Sequence, residues 1–358
     1  MLSDLSSPDI CLDGMSKYLL SSGDIVFART GASVGKTYIY RENDGIVYFA
    51  GFLIRAKVNQ DNDAEFVFQS TLSPSYEKYI RITSQRSGQP GVNAQEYGEY
   101  DLFAPSKEEQ QRIGHFLRGI DNLITLHQRK YDKLQVLKKA MLEKMFPKNG
   151  SSVPEIRFKG FTDAWEQRKL GDCFTERCES MPDGELISVT INDGIKKFSE
   201  LGRHDNSNDD KSKYKKVCAG DIAYNSMRMW QGASGCSPYE GIVSPAYTVL
   251  TPNSGINSKC MAYQFKLPAT IHTFKINSQG ITSDNWNLKF PALSEIEIYV
   301  SPYEQEQAKI AAYFANLDNL ITLHQRKFYI YGMSNFHMRR LSQFNHIIFY
   351  ARYCFWWS

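Results

Sequence analysis

Large side chains recur at alternating steps of three and four residues in the middle of the chain. The recurring positions are Ile113, Phe116 or Leu117, Ile120, Leu123 or Ile124, His127, Tyr131, Leu134, Leu137 or Lys138, Met141 and Met145. Such heptad spacing places one apolar stripe along a helix. The pattern predicts a helix over residues 107–146, with a length of about 60 Å at about 1.5 Å per residue.

A near-copy of this helix follows later in the chain. The segment DNLITLHQRK occurs at 121–130 and again, letter for letter, at 318–327. The same offset aligns GDIVF at 23–27 with GDIAY at 220–224. One register therefore holds over a long stretch, which indicates a tandem duplication of a globular part followed by a helix.

The two helices could bury their apolar stripes in different ways. A single amphipathic helix usually packs against its own domain. Two near-identical long helices favour packing against each other, and we expect an antiparallel coiled-coil pair. The side chains predicted to form this contact are Ile113, Ile120, Leu123, Ile124, Leu134, Ile310, Leu317, Leu320 and Ile321.

The segments before the helices predict mixed strands and loops. Short apolar runs such as DIVFA and EIEIYV alternate with glycine and proline. The predicted fold class is α+β, with two globular domains separated by the two long helices. The predicted boundaries are 1–104 for the first domain, 105–147 for the first helix, 148–301 for the second domain with its preceding linker, 302–327 for the second helix and 328–358 for a divergent tail.

Composition and charge narrow the class of protein only slightly. The formal net charge is +3, and no apolar run reaches the roughly 18 residues that a membrane span needs. The cysteines are scattered without C-x-x-C spacing, which favours reduced thiols. The chain does not start with a basic and apolar leader, so we expect a cytoplasmic protein with no membrane partner.

The segment GASVGKT at 31–37 raises the alternative of a nucleotide triphosphate site. A P-loop needs four residues between its glycines, whereas only three separate Gly31 from Gly35. A phosphate cradle that lacks one backbone donor is unfavourable. Nucleotide binding is therefore the weakest of the alternatives.

Patterns typical of zinc sites and of dinucleotide-binding sites are missing. The sequence contains no HExxH and no G-x-G-x-x-G motif, and its histidines form no cluster with zinc-ligand spacing. His127 and His324 fall at seam positions of the helices, where a packing role is expected. We predict a chain without catalytic residues, a metal site or a bound cofactor.

Loops rich in arginine, amide and aromatic side chains occur at equivalent places in both copies. Arg and Lys suit guanine acceptors or phosphates, and Asn and Gln suit adenine. Ordinary turns use some of the same residue types, and a basic run such as 211–216 is usually a solvated loop. The recurrence favours an interface with double-stranded DNA. The candidate contacts are Arg29, Thr30, Ser33, Lys36, Gln85, Arg86, Gln89, Asn93, Lys213, Lys215, Lys216, Asn225, Arg228, Trp230, Gln231, Gln279, Ser283 and Asn285.

Together these segments resemble the specificity subunit of a type I restriction-modification system, the HsdS family. In the second copy the resemblance is carried by FTDAWEQRKLGDCFTER, GDIAYNSMRMWQGASG and SPYEQEQAKIAAYFANLDNLITLHQRK. In the first copy it is carried by GDIVFARTGASVGK and by the helix that starts at EEQQRIGHFLRGIDNLITLHQRK. It covers nearly all of residues 16–327.

The resemblance implies two target-recognition domains, each of which reads one half of a split DNA sequence. The two helices would hold these domains apart and act as a ruler. The subunit would not be an enzyme itself. It would bind two modification (methyltransferase) subunits and, through them, the restriction subunits. S-adenosylmethionine, ATP and Mg would then bind to those partner subunits and not to this chain.

The sequence departs from the family pattern at both ends. The first copy lacks a counterpart of FKGFTDAWEQRKLGDCF, so we expect a truncated first domain. After Lys327 the chain reads FYIYGMSNFHMRRLSQFNHIIFYARYCFWWS, in which the heptad pattern is lost. An alternative function is therefore a defective or silent specificity cassette product, which keeps the partner-binding helices but does not read DNA competently.

Overall fold

The computed structural model describes residues 15–341, except 87, 149, 192, 193, 203, 206, 283 and 284, with side chains described as far as residue 334. The chain divides into two compact units. Unit 1 contains the residues up to Lys130 and those from Leu323 onward, and unit 2 contains Tyr131–Thr322. Each unit therefore holds one globular part and a portion of each long helix.

The globular part of unit 1 is a small antiparallel sheet covered by short helices. Its strands are β1 (Ile25–Ala28), β2 (Thr37–Ile39) and β3 (Leu53–Ala56), paired in the order β2-β1-β3. Its helices are α1 (Ala64–Ser70), α2 (Pro74–Thr83) and α3 (Ala94–Gly98). The buried side chains between them are Ile25, Phe27, Ile39, Tyr76, Ile80 and Val92. The first long helix, α4 (Lys107–Met145), follows.

The globular part of unit 2 has more strands. They are β4 (Glu166–Lys169), β5 (Phe174–Glu176), β6 (Ile187–Thr190), β7 (Gly194–Lys197), β8 (Lys215–Val217), β9 (Ile222–Asn225), β10 (Ser234–Cys236), β11 (Gly241–Val243), β12 (Tyr247–Pro252) and β13 (Glu297–Val300). One sheet has the order β10-β9-β12-β5, and the antiparallel pairs β11-β8, β13-β4 and β6-β7 flank it. The helices are α5 (Leu170–Cys173), α6 (Ser258–Gln264), α7 (Pro268–Ile276), α8 (Phe290–Ser294) and the second long helix α9 (Glu304–Leu341).

The same series of elements occurs in both globular parts. In each, a strand (β1 or β9) leads into one turn of 3₁₀ helix and then into a return strand (β2 or β10). A glycine with positive φ lies before the return strand, at 80° for Gly35 and 82° for Gly232. Glycine adopts this conformation without strain. The repeat in the sequence is therefore also a repeat in structure.

A buried glutamine fastens each long helix to its own globular part. The side-chain oxygen of Gln110 accepts a hydrogen bond from the N–H of Asp63 at 2.9 Å, and that of Gln307 accepts one from Asn257 at 2.8 Å. Asp63 and Asn257 in turn cap the N-termini of α1 and α6. Because an unpaired buried amide is costly, these bonds define how each helix leaves its domain.

The two long helices pack side by side in opposite directions. In unit 2 the ring of Phe146, directly after α4, stacks on Phe314 in α9 with 6.2 Å between ring centroids. About two turns earlier in α4, Lys138 forms an ion pair with Asp318 at 2.5 Å. Positions in α9 rise as those in α4 fall, so the pair is antiparallel. The predicted fold class, two α+β units with an antiparallel helix pair, is confirmed.

Most residues predicted for the helix seam are shielded from solvent, but two are not. The buried members are Ile113, Ile310, Leu317 and Ile321, and the half-buried members are Ile120, Ile124 and Leu134. Leu123 and Leu320 are 40% and 44% exposed, so their predicted packing is wrong. The seam in α9 runs through Leu317, Ile321 and His324. Leu320 lies about 100° around the helix from Ile321, beside that stripe.

Ile113 is buried in a different contact from the one predicted. It packs in a cluster with Phe66 of α1 and Leu117 of its own helix, with Leu102 at the margin. The cluster joins the start of α4 to the globular part of unit 1. A residue at the start of a long helix therefore serves the helix–domain contact, as a single amphipathic helix would.

The second long helix extends beyond its predicted end. The heptad pattern predicts an end at residue 327, whereas α9 continues to Leu341. The segment 328–341 contains no proline and one glycine, Gly332, which costs a helix about 1 kcal/mol relative to alanine. Extending a formed helix is far easier than starting one, so the helix continues through this segment. The rest of the predicted tail, 342–358, lies outside the described residues.

Candidate nucleic-acid interface

Two loops of unit 2 meet around a pair of tryptophans. The turn after β9 and the segment before α8 are joined by a hydrogen bond of 2.9 Å from the N–H of Leu288 to the carbonyl of Ser226. Trp230 and Trp286 pack edge to face with 5.2 Å between ring centroids. Two of the loops predicted to contact DNA are therefore adjacent. We call this surface the Trp patch and define it by residues 225–231, 279–282 and 285–287.

Arg228 is an exposed cation of the Trp patch. Its guanidinium lies 3.5 Å from the side-chain oxygen of Gln231, so its neighbour is a neutral amide. Asn225 is more constrained, because its side-chain oxygen accepts from the N–H of Met227 at 3.0 Å and its side chain also bonds to Tyr247. Burial raises the pKa of Tyr247, which keeps the phenol neutral. The loop is thus fixed at Asn225, while the exposed guanidinium of Arg228 can contact a ligand.

A second cation, which the sequence reasoning missed, contacts the same tryptophan pair. The ammonium of Lys275, in the last turn of α7, lies 5.5 Å from the ring centroid of Trp286. Such a contact is worth about 0.5–1 kcal/mol at an exposed site. In the sequence this lysine lies one turn before the loop at Gln279, within a helix and not within the loop itself.

The second loop of the Trp patch is closed tightly. Gln279 and Asn287 exchange two backbone hydrogen bonds of 2.8 and 2.9 Å. Gly280 has a φ of 148°, and a Cβ there would lie 2.6 Å from the carbonyl oxygen of Asn285, so the closure requires glycine. The side chains of Gln279 and Asn285 are exposed. The predicted contact Ser283 lies outside the described residues.

Unit 1 joins its corresponding loops in the same way. The N–H of Val92 donates to the carbonyl of Arg29 at 2.9 Å, which is the counterpart of the bond between Leu288 and Ser226. The N–H of Gly31 donates to the carbonyl of Pro90 at 3.0 Å. The exposed predicted residues on these loops are Arg29, Thr30, Ser33, Lys36, Gln85 and Gln89. The structure therefore brings both predicted loops of the first copy together.

Two predicted contacts in unit 1 already have partners within the protein. Arg86 forms an ion pair with Glu96. Asn93 caps α3, since its side-chain oxygen accepts from the N–H of Glu96 at 3.0 Å while Glu96 accepts from the N–H of Asn93 at 2.8 Å. The bond from the Asn93 backbone lowers the pKa of the Glu96 carboxyl. Both residues therefore contribute to the local fold.

The basic segment 211–216 is not a run of free lysines. Lys215 and Lys216 lie in β8, where their ammonium groups bond to Glu176 at 3.1 Å and to Glu179 at 3.2 Å. The bond to Glu179 raises the pKa of Lys216. Of the three lysines predicted to contact phosphates, only Lys213 is exposed. Lys215 and Lys216 would have to leave their carboxylates before they could contact DNA.

The GASVGKT segment forms a hairpin turn. The N–H groups of Gly31, Val34, Gly35 and Lys36 all donate to carbonyls of this chain. The turn leads into β2, whereas a P-loop leads into a helix. Residues 31–35 also fit the G-x-S-x-G pattern of a hydrolase nucleophile, but that pattern requires a strand-to-helix turn as well. The geometry supports neither a phosphate cradle nor a nucleophilic Ser33.

The carboxylates of the repeated helix segment hold each helix against its own domain. Asp121 accepts from the side-chain amide of Gln69 in α1 at 2.8 Å, and Asp318 accepts from the hydroxyl of Tyr263 in α6 at 2.8 Å. The sequence alone predicts no role for these aspartates. Their partners are distant in sequence, so no local pattern could reveal them.

The repeated histidines face each other in unit 1. The Nδ1 atoms of His127 and His324 are 2.7 Å apart, so one ring donates a hydrogen bond and the other accepts it. The ring of Tyr331 stacks on His127 with 5.5 Å between centroids. Burial lowers the pKa of both histidines. The pair is therefore a polar contact within the helix seam.

Within the described part of the chain, no three His, Cys, Asp or Glu side chains converge as metal ligands. Over the same residues, no helix combines the length and hydropathy of a membrane span. The free thiols among the described residues are Cys173, Cys178, Cys218, Cys236 and Cys260.

The duplicated fold and its paired loops correspond to a known protein family. The family model for the type I restriction modification DNA specificity domain matches residues 11–136 and 162–328. The two matches cover both copies of the repeat and most of the chain. The chain therefore belongs to this family.

Individual relatives agree with the family match. The type I restriction enzyme MjaX specificity subunit of Methanocaldococcus jannaschii is 25% identical over 171 residues, which span 46% of this chain and 40% of that protein. The S subunit of a type I restriction-modification system from M. genitalium has a similar structure, with a TM-score of 0.60 and 14% identity over 89% of this chain and 82% of that one. The HsdS subunit of Thermoanaerobacter tengcongensis gives a TM-score of 0.43 and 15% identity over 92% and 82%. The match with the curated relative reaches less than half of its length, and the likeness to the M. genitalium structure supports the fold alone.

Proposed function

We propose that this chain recognises DNA for a type I restriction-modification complex. The observation that carries the proposal is the Trp patch, where loops of unit 2 gather an exposed arginine, two tryptophans and exposed amides. Unit 1 joins the corresponding loops through an equivalent hydrogen bond. Each globular part then reads one half of a split target in double-stranded DNA.

The side chains of the Trp patch suit base contacts, and two exposed lysines outside the patch suit phosphate contacts. The forked guanidinium of Arg228 matches the two acceptors of guanine, and the amides of Gln279 and Asn285 match adenine. Lys213 and Lys275 are point charges suited to phosphates. In this arrangement the arginine and amides supply specificity and the lysines supply salt-dependent affinity.

The two long helices serve as the scaffold for partner subunits. Beside the seam, each helix exposes the same two leucines, Leu123 and Leu126 in α4 and Leu320 and Leu323 in α9, which are 40–46% exposed. Two equal apolar sites fit two equal partners, here the modification (methyltransferase) subunits. The restriction subunits join through them. The chain itself is not an enzyme, and S-adenosylmethionine, ATP and Mg bind to the partner subunits.

The test is DNA binding by the complex of this chain with its modification subunit. The bound sequences are first selected from a random duplex pool. Fluorescence anisotropy then measures the affinity for the selected duplex and for duplexes with either half scrambled, at two salt concentrations. Scrambling either half is expected to cost at least ten-fold in affinity. Equal affinity for all duplexes would contradict the proposal.

The defective or silent cassette product is the second candidate function. The observation in its favour is that residues 100–103 of unit 1 pair with no strand among the residues that the structure describes, whereas their counterparts in unit 2 form β13. This candidate predicts that the chain binds its modification subunit, while scrambling the half-site of unit 1 leaves the affinity unchanged. The selection experiment therefore separates the two functions.

A further inference from the structure

A glycine ends the loop that carries predicted DNA contacts in each unit. We call residues 29–35 and 226–232 the recognition turns, and they align at the offset of the repeat. Their last residues, Gly35 and Gly232, have positive φ. A Cβ at either position would lie within 3.0 Å of an isoleucine side chain, in α2 for unit 1 and in α7 for unit 2. Each recognition turn therefore ends directly against a helix of its own unit.

In unit 2 a lysine holds the carbonyl at the end of the recognition turn. The ammonium of Lys266, between α6 and α7, donates one hydrogen bond to the carbonyl of Gly232 and another, at 3.0 Å, to that of Ile191. Gly232 is buried, and burial lowers the pKa of Lys266 to about 8. Because a buried carbonyl is costly without a donor, the lysine stabilises the turn where it meets the helices.

In unit 1 a different side chain holds the corresponding carbonyl. The hydroxyl of Tyr76 donates to the carbonyl of Gly35 at 3.0 Å. Tyr76 is 4% exposed, and burial raises its pKa, so the phenol remains a donor. Tyr76 is the third residue of α2, whereas Lys266 lies before the start of α7. The two copies therefore form the same bond with unrelated residues at unrelated positions, which indicates that the bond itself is what both turns need.

Each recognition turn is thus attached at both ends. In unit 1 the backbone bond between Arg29 and Val92 holds its start. In unit 2 the bond between Ser226 and Leu288 does the same. The glycine carbonyls hold the other ends, and Arg228 lies between the two attachments of its turn. Loss of the second attachment would leave the residues between them free to shift.

We propose that Lys266 and Tyr76 are positioning residues for DNA recognition, each of which holds the recognition turn of its own unit against the helices. Neither side chain contacts DNA in this role. Base-reading groups must be held within about 0.5 Å of their productive geometry, whereas a lysine on a flexible stem can follow a phosphate. Loss of an anchor should therefore reduce discrimination between sequences more than it reduces general DNA binding. The inference rests on the proposed function.

The test compares Lys266→Met with Tyr76→Phe, which remove the donor and keep most of the side-chain volume. Fluorescence anisotropy measures binding of each variant, in complex with its modification subunit, to the selected duplex and to duplexes with either half scrambled. Lys266→Met is expected to lower discrimination at one half by about five-fold and to leave the other half unchanged. Tyr76→Phe should do the reverse. Loss at both halves, or at neither, would overturn the proposal.

Two further variants separate positioning from other effects. Lys259→Met removes an exposed cation of α6, and it should leave both discriminations unchanged. An equal loss in this control would attribute the effect to charge and contradict the positioning role. In the double variant Lys266→Met with Arg228→Ala, the two losses should not multiply, because Arg228 already reads its base poorly once the turn has shifted. Losses that multiply would show that Lys266 acts independently of the turn.

Amide hydrogen exchange of the full chain tests the anchors without DNA. Lys266→Met is expected to speed exchange in residues 226–233 several-fold relative to β12, and Tyr76→Phe should do so in residues 29–36 relative to β1. Tyr76→Phe deletes a single oxygen atom, so it tests the proposal even if Lys266→Met does not fold. Unchanged exchange in the turns would refute the anchoring. If exchange rises but the wild-type complex discriminates between no duplexes, the proposed function fails while the anchoring stands.

Discussion

A side chain with suitable chemistry can read DNA only when it is not already held by an ion pair within the protein. Arg228 and Arg86 lie in loops of similar composition, but Arg228 has an amide neighbour while Arg86 forms an ion pair with Glu96. Lys215 is likewise held by Glu176 from another strand. The sequence alone shows which side chains have chemistry suited to DNA. Their internal partners could not, because the chain brings those carboxylates close only after it folds.

Arg228→Ala is expected to lower the affinity of the complex for its cognate half-site by about 1–3 kcal/mol, because the variant loses a forked contact to guanine. Binding to unrelated DNA should change much less. Anisotropy titrations of cognate and unrelated duplexes measure both. Equal weakening on the two duplexes would mean that Arg228 contacts phosphate and does not read a base.

Lys213→Ala and Lys215→Ala form a matched pair for the phosphate contacts. Lys213 is exposed, whereas Lys215 is tied to Glu176. Lys213→Ala is expected to weaken all DNA alike and to reduce the salt slope by about 1. Lys215→Ala should leave the slope unchanged. The comparison of slopes over several salt concentrations is the measurement, and a larger change for Lys215 would contradict the assignment.

The long helices show which structural features a heptad pattern can predict and which it cannot. Their existence, their antiparallel pairing and most of the seam could be predicted from steps of three and four residues. The pattern could not decide between the neighbours Leu320 and Ile321, because both are large and apolar and only the rotation of the helix separates them. The end of α9 could not be predicted either, because loss of the heptad pattern ends the apolar stripe but does not end the helix.

Leu317→Ala is expected to lower the free energy of unfolding by about 2–5 kcal/mol, because it removes a side chain that is 6% exposed in the helix contact. Leu320→Ala is the matched control in the same helix, with a side chain that is 44% exposed. Urea denaturation followed by circular dichroism gives both values. If both variants lost a similar amount of unfolding free energy, the assignment of Leu317 to the helix seam would be wrong.

The histidine pair predicts a pH dependence of stability. Burial lowers the pKa of His127 and His324 in the folded chain, and the nearby charges of Lys130 and Lys327 act in the same direction. The unfolded chain therefore binds more protons below the usual histidine pKa of about 6.5. Stability should be greatest above this pH and decline as the pH falls below it. The ring of Tyr331 stacks on His127 of this pair.

The variant His324→Gln is expected to reduce this decline, because only one imidazole remains to be protonated in the seam. His115→Gln is the control, since His115 is exposed on α4. Melting temperatures between pH 5 and 8 measure the effect. If His324→Gln and the wild type lose stability in parallel as the pH falls, other groups determine the acid sensitivity.

At the scale of the whole molecule, the internal repeat was the most informative feature of the sequence. It predicted two globular parts, two helices and equivalent loops. It could not predict that Ser226 and Leu288, or Arg29 and Val92, would join those loops by backbone hydrogen bonds. Such bonds depend on the path of the chain and not on side-chain identity.

A ruler role of the helices, which the family resemblance implies and which rests on the proposed function, leads to a prediction about the spacing of the target. Inserting one heptad into α4 after Lys130 and one into α9 after Gln325 keeps the seam in phase and lengthens the pair by about 10 Å at about 1.5 Å per residue. DNA rises about 3.4 Å per base pair. The preferred spacer between the half-sites should therefore grow by about three base pairs. Anisotropy with a panel of duplexes that differ only in spacer length measures the preference.

A variant with the heptad in α4 alone is the control, and it should lose stability because the seams no longer match. If the double insertion folds and prefers the original spacer, the helices do not set the distance between the half-sites.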